Sequence, residues 1–298
     1  MTRQGLVIGA GGVTGLAWSS ATLAALARTA DWDPRDADVL VGTSQGSLLA
    51  GLLASGVGTE ELVRWYRKEL PDAHPLLARP APRIRDDGRR GKRRPASPAL
   101  LARAIGPGRI SPVAALSGLL PVGVGSLDGF LAPLAALVGT DGWVEHDATW
   151  VTALDYDTGR RVCFGAPGQP RPPVLEAVRA SCTVPGQFPP VRIDGRRYID
   201  GGAHSTTNAD LAVDARIDEV VVLAPMAGDG GVLQRVARRQ LTAESRRLTA
   251  AGVTVRVLTP TRADRALMAA HPRDPAQRFR IFEAALESGP GRVAAAYR

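Results

Sequence analysis

The chain is predicted to fold as an α/β protein: three layers, α/β/α, around a mainly parallel central sheet. Three observations carry this. Short apolar runs alternate with helix-like stretches over the first seventy residues, the order that a parallel sheet covered on both faces requires. Glycine-rich turns, Gly9 to Gly15 and Gly42 to Gly46, stand where such a run gives way to a helix. Apolar runs and a tight Asp-Gly turn return after residue 149.

Gly5 to Ile8 is the first strand, followed by the glycine turn and a helix from Leu16 to about Arg28. Val39 to Val41 is the second strand and Gln45 to Ala54 the second helix. Thr59 caps a third helix that runs to Leu70. Residues 71 to about 125 break the pattern with prolines, glycines and a basic run. Insertions of that size are usually functional or disordered. Ile105 to Leu120 and Leu127 to Val138 read as short amphipathic helices. Core packing is the commoner fate for such stretches, and a lid over an apolar substrate pocket is the functional alternative. Strands return at Trp150 to Leu154 and Val162 to Phe164, with a helix over Val174 to Ala180. Val191 to Ile193 and Arg197 to Ile199 form a hairpin around Asp194-Gly195. Glu219 to Ala224 and Val253 to Leu258 are further strands, separated by a basic helix from about Val232 to Thr249. The tail from Pro275 to Tyr297 is mostly helical. No internal repeat or domain boundary is visible. Residues 1–298 therefore read as one domain: a core of about 5–70 and 149–260, an insertion of about 71–148 and a helical tail of about 262–298.

Composition bounds the function. Apolar residues make up 45% of the chain, ordinary for a globular protein with a real core. The net charge of +8 is uneven. Arg83 to Arg94 holds seven cations against Asp86 and Asp87. A solvated loop is the plain reading of that run. Attraction to an anionic surface is the functional one. No aromatics interleave it to stack on bases, so lipid is favoured over nucleic acid. Cys163 and Cys182 are too few and too far apart for a disulfide framework or a Cys/His metal site, and a reducing compartment is the default. Gly9, Gly11, Gly12 and Gly15 interrupt what would otherwise mimic a signal peptide. Pro121, Pro133 and Asp128 break the apolar middle, so no membrane span is expected. A cytoplasmic protein with peripheral membrane contact is the expectation.

Three clusters carry chemistry. Gly42-Thr43-Ser44-Gln45-Gly46 is a Gly-x-Ser-x-Gly between a strand and a helix, the context of a nucleophile elbow. The glycines make room for the sharp turn, and the helix N-terminus places positive partial charge near the serine oxygen. The upstream glycine loop admits dinucleotide binding, an oxyanion hole, or a turn without a ligand. Thr14 stands where Gly-x-Gly-x-x-Gly needs its third glycine, and the second strand ends without a ribose-binding acid, which disfavours a dinucleotide. Asp200-Gly201-Gly202 follows the hairpin and by itself is a common turn. A serine needs a base. Of His74, His146, His204 and His271, only His204 rivals Asp200 for that role.

Together these motifs resemble the patatin-like phospholipase family, whose members use a Ser–Asp dyad. Ala10-Gly11-Gly12-Val13-Thr14-Gly15 matches the family's Gly-Gly-Gly-x-Arg/Lys-Gly loop, with Ala10 for the first glycine and Thr14 for the basic residue. Gly42 to Gly46 matches its elbow, and Asp200-Gly201-Gly202 its dyad motif. Ala180 to Pro190 resembles the block preceding the family's aspartate. The resemblance covers about residues 5–65 and 150–225. It implies a patatin-like fold, Ser44 as nucleophile, Asp200 as base, and Gly11 and Gly12 N–H groups as the oxyanion hole. Ala10, Gly15, Gly42, Gly46, Gly201 and Gly202 support these turns. The implied activity is hydrolysis of lipid carboxylic esters through an acyl-serine, with no cofactor or metal. An acyltransferase, or a non-catalytic lipid-surface or regulatory protein, are the alternatives. Ala10 keeps its N–H, whereas Thr14 removes a positive charge beside the proposed hole. The expected partners are a lipid or fatty-acyl ester and, through Arg83 to Arg94, an anionic membrane surface. Oligomeric state is not legible.

Overall fold

A computed structural model describes residues 2–79, 95–98, 100, 103, 110–139, 141–270 and 275–298. The basic run Arg83 to Arg94, the stretch 105–109 and His271 lie outside the described residues. Eight strands form one sheet: β1 Gln4–Ile8, β2 Val39–Thr43, β3 Thr149–Asp155, β4 Arg161–Phe164, β5 Val191–Ile193, β6 Arg196–Asp200, β7 Glu219–Leu223 and β8 Thr254–Leu258. Hydrogen-bonded neighbours run β5-β6-β3-β2-β1-β7-β8, and β4 also pairs with β3. The β1, β2, β3, β7 and β8 pairings are parallel. The β3–β4, β3–β6 and β5–β6 pairings are antiparallel.

Nine helices are described: α1 Gly12–Ala30, α2 Gln45–Ala54, α3 Thr59–Arg67, α4 Pro112–Ser117, α5 Asp128–Val138, α6 Val174–Ser181, α7 Val232–Ala250, α8 Arg262–Ala269 and α9 Pro275–Ala296. Side chains alternate across a strand, and that alternation builds two cores. Leu6, Ile8, Leu40 and Leu223 face one layer, with Trp18 of α1, Leu48 of α2 and Phe282 of α9. Val7, Val41, Val220 and Val222 face the other, with Leu241 and Leu248 of α7. The strands are apolar on both faces because both faces are covered. This is the three-layer α/β/α arrangement expected.

Four local expectations are corrected. α1 starts at Gly12, not Leu16, so the glycine loop is the first turn of the helix itself. Gly58, not Thr59, precedes α3, and the Glu61 carboxylate accepts the Gly58 N–H at 2.8 Å in place of a threonine cap. α3 stops at Arg67 because Lys68 takes a left-handed conformation, φ 60°. Within Ile105 to Leu120 the described helix is only the six residues of α4, opened by Ser111 and Pro112. α5 packs into the main core through Leu131 and Leu134, with Leu134 against Gly51 of α2. The hairpin forms as expected, with Asp194 and Gly195 both at positive φ, 47° and 74°. The tail is held by a buried ion pair. Arg292 of α9 donates to Asp264 of α8 at 2.7 Å, and Asp264 also accepts from Trp18 Nε1 of α1 at 3.3 Å.

Candidate active site

The site is made at the middle of β3. Ala148 O accepts from Leu40 N–H at 3.0 Å, and Tyr156 N–H donates to Arg197 O at 2.8 Å. Asp155 N–H donates the other way, to Arg160 O at 2.9 Å. Backbone groups of alternate residues face opposite edges of a strand. β2 and β6 therefore share one edge of β3, and β4 takes the other. Thr43 pairs with Thr152, and Asp200 with the next residue, Ala153. β2 runs parallel to β3 and β6 antiparallel, so the two meet end to end. Ser44 and Asp200 stand at that junction.

Ser44 begins the turn into α2 at φ 55° and ψ −127°, a conformation strained for any residue with a side chain. Its N–H donates to Ser181 Oγ of α6 at 2.8 Å, and its carbonyl accepts from Ser47 N–H at 2.8 Å and Ser47 Oγ at 2.7 Å. Close packing explains both glycines. A Cβ on Gly46 would overlap Ile8 O, and one on Gly42 would overlap Ser47 Cα. Only glycine lets the elbow lie against the end of β1.

The Ser44 side chain lies close enough to the Asp200 carboxylate to favour its charged form. Both residues are nearly enclosed, 7% and 6% exposed. Asp200 N–H donates to Thr183 O at 2.9 Å, and Asp200 Oδ1 accepts from Gly202 N–H at 2.7 Å. Burial pushes the carboxyl up to about 6, partly offset by the neighbouring Ser44 hydroxyl and the Gly202 N–H. Gly201 is needed because a Cβ there would lie 2.6 Å from Thr152 O.

The glycine loop lies against the same turn, since a Cβ on Gly202 would sit 3.5 Å from Ala10 Cβ. Gly9 N–H donates to Leu223 O at 2.9 Å and Ala10 N–H to Thr206 O at 2.7 Å. Gly15 N–H closes onto Gly11 O at 2.9 Å. Among the described residues, nothing accepts from the N–H of Gly11 or Gly12. Gln45 links loop and elbow, donating to Gly9 O at 2.7 Å. The arrangement is a buried hydroxyl next to a carboxylate, with a loop carrying two unpaired backbone donors packed against the same turn, a set suited to acyl transfer.

The model of the patatin-like phospholipase family matches residues 6–213, which span loop, elbow and Asp-Gly-Gly turn. The chain belongs to that family. Membership places it among lipid acyl hydrolases. Among curated proteins none matches. A similar solved structure is VipD from Legionella pneumophila, 13% identical, with 99% of this chain and 67% of that chain covered at a TM-score of 0.47.

The family's serine and aspartate positions, Ser44 and Asp200, are brought together; the described histidines, His74, His146 and His204, make their contacts elsewhere. His204 is half-buried beside Arg161, Asp210 and Arg247, and burial with Arg161 holds its imidazole below the usual histidine range. His74 bonds Glu61 at 3.2 Å and His146 bonds Ala37 O at 2.7 Å. Among the described residues no group of three His, Cys, Asp or Glu side chains converges on a metal-sized site. No helix among them is long and apolar enough to cross a membrane.

Sequence reasoning missed the supports of this family site. Asn208 is fully buried and left-handed, φ 53°. Its Nδ2 donates to Ser205 O at 2.7 Å, Thr43 Oγ1 at 3.2 Å and Gly201 O at 3.4 Å, tying both halves of the junction. Glu244 of α7 accepts from Thr207 Oγ1 at 2.5 Å and Ala209 N–H at 2.9 Å, and burial raises its carboxyl. It thereby holds the segment whose Thr206 O restrains Ala10. One signal was readable for Glu244. It shares a helical stripe with Ala237, Leu241 and Leu248, an acid on an apolar face.

Proposed function

We propose that the protein hydrolyses lipid carboxylic esters through an acyl-Ser44 intermediate, with Asp200 as general base. The observation that carries this reading is the buried Ser44 side chain next to the Asp200 carboxylate, in a turn that packs against the glycine loop with its unpaired Gly11 and Gly12 N–H groups. The Asp200 carboxylate takes the Ser44 proton as Oγ attacks the ester carbonyl. Negative charge then develops on the carbonyl oxygen, where Gly11 and Gly12 N–H donate. Collapse expels the alcohol, which receives the proton from Asp200. Water, deprotonated by Asp200, attacks the acyl-enzyme and releases the acid, and Ser44 recovers its proton. A carboxyl that ionises at about 6 is a stronger base than an ordinary aspartate and is still charged at neutral pH.

The test is hydrolysis of a medium-chain p-nitrophenyl ester by the wild type, Ser44→Ala, Asp200→Asn and His204→Ala. The first two variants are expected to lose at least about a thousandfold in kcat. His204→Ala is expected to stay within about threefold, and the wild-type rate to rise with pH through about 6. Activity lost with His204 and kept without Asp200 would sink the dyad. A wild type that neither hydrolyses esters nor accepts a fluorophosphonate on Ser44 would make the protein non-catalytic. Acyl transfer to added alcohols in preference to water would make it an acyltransferase.

A further inference from the structure

Among the described residues, five of the eight large apolar side chains left exposed fall within nine positions: Leu116, Leu119, Leu120, Val122 and Val124. They occupy the last turn of α4 and the loop after it, and Val124 is 79% exposed. The sequence around them, Ile110 to Leu127, holds no charged, aromatic or amide side chain. Its three serines are turned to the protein's own groups. Ser111 Oγ donates to Ala203 O at 2.8 Å, Ser117 Oγ to Ala114 O at 2.7 Å and Ser126 Oγ to Asp128 Oδ2 at 2.6 Å. The backbone of this ridge is pinned from within. Ser97 N–H donates to Gly118 O at 3.0 Å, Ala96 N–H to Leu120 O at 3.0 Å and Gly125 N–H to Gln187 O at 2.9 Å. A Cβ on Gly118 would lie 2.2 Å from Ser97 O, and one on Gly123 2.1 Å from the Gln187 carbonyl carbon. The glycines therefore face inward, and the leucines and valines are left in water.

A run of exposed apolar side chains on this scale marks a partner. We propose that the ridge Leu116 to Val124 is a docking surface for a lipid layer, entering the layer's hydrocarbon edge. The chemistry of the ridge favours lipid over protein. Protein interfaces are enriched in aromatic side chains, Met and Arg, and their hot spots are poor in Leu and Val. This ridge is aliphatic throughout and presents no charge and no free side-chain donor by which one protein could be told from another. Hydrocarbon asks for neither. Electrostatics agrees. The run of seven cations in the sequence ends at Arg94, and the next residue, Pro95, pairs with Pro121 of the ridge. An apolar insertion next to a basic sequence is the two-signal combination that holds a protein on an anionic lipid surface. The ridge also adjoins the turn that carries Asp200. Ser111 is bonded to Ala203, three residues after Asp200. Gln187 follows closely on Thr183, whose carbonyl accepts the Asp200 N–H at 2.9 Å. A layer seated on the ridge meets the side of the protein that holds this turn. The inference rests on membership among lipid acyl hydrolases and not on which residue serves as base.

Binding is measured by co-sedimentation of the full chain carrying Ser44→Ala, so that turnover has no part in the result. The probes are vesicles of phosphatidylcholine alone and of equimolar phosphatidylcholine and phosphatidylglycerol. The chain is expected to bind the anionic vesicles, and the neutral ones more weakly. Leu119→Asp with Val124→Asp is expected to weaken binding at least about tenfold. Val124→Trp, at the most exposed position, is expected to strengthen it at least about twofold. Leu233→Asp is the control. It is an exposed aliphatic on α7, which follows β7 at the opposite side of the sheet from β5 and β6, and should stay within about twofold of the parent. Urea unfolding midpoints check that each variant is folded. Undiminished binding by the aspartate pair, an equal loss in Leu233→Asp, or no binding to either vesicle would each overturn the inference. So would a dimer in solution that the aspartate pair dissolves while vesicle binding persists, since the ridge would then join two copies of the chain. Vesicle binding without any ester hydrolysis by the wild type would sink the catalytic reading alone.

Discussion

At the elbow, glycine is demanded by contact: a Cβ on Gly46 would overlap Ile8 O, and one on Gly42 would overlap Ser47 Cα. At the loop, Gly12 sits at φ +60° with nothing within 4 Å of an added Cβ, so space is free and only the backbone conformation favours glycine. The elbow glycines let a strand end and a helix start share one place. The loop glycine lets two N–H groups stay unbonded beside the proposed dyad. The elbow, like Gly9 and Gly11 of the loop, serves packing, and Gly12 serves presentation.

The largest expected effect breaks the first half of that contrast. Gly46→Ala should cost more than about 3 kcal/mol, because the atom it strikes is backbone and cannot rotate away. Urea unfolding with a wild-type midpoint would show that the elbow has slack. Second is Asp200→Asn. The folded carboxyl is pushed up to about 6, above the 3.8 of an unperturbed aspartate, so the native state favours the protonated form. That contribution is fully present below 3.8 and is lost as pH rises through 6. Removing the charge should therefore raise stability by up to about 3 kcal/mol at pH 8 and by nothing at pH 3.5. A melting curve with the same offset at both pH values would deny that burial sets this pKa. The smallest effects sharpen the comparison. Gly12→Ala should cost about 1 kcal/mol and keep most ester hydrolysis, since its N–H remains. Ser44→Gly should gain about 1 kcal/mol in thermal unfolding by relieving the strain at φ 55°, while abolishing activity.

Much of this was legible in sequence because it is local. The strands at Gly5 to Ile8 and Val39 to Val41, the hairpin at Asp194-Gly195 and the helix from Val232 follow from apolar runs and turn chemistry. The elbow and the Asp-Gly-Gly turn were readable as motifs. Less was legible where neighbours decide. Nothing in Leu127 to Val138 distinguishes a lid from a core helix, and contact with Gly51 and the main core makes α5 the latter. Asn208 reads as one more polar loop residue until three acceptors surround it.

By itself, then, the sequence determined the strand–helix order, the two glycine turns and the residue types able to form a dyad, because backbone preference and hydrophobic period act over a few neighbours. Tertiary structure alone decided that β2 and β6 meet end to end on one edge of β3, which joins residues 156 positions apart. It also decided that His204 faces Arg161 and Asp210. Those placements depend on which strand edge and which helix face are left free once the core has closed, and no local pattern encodes them.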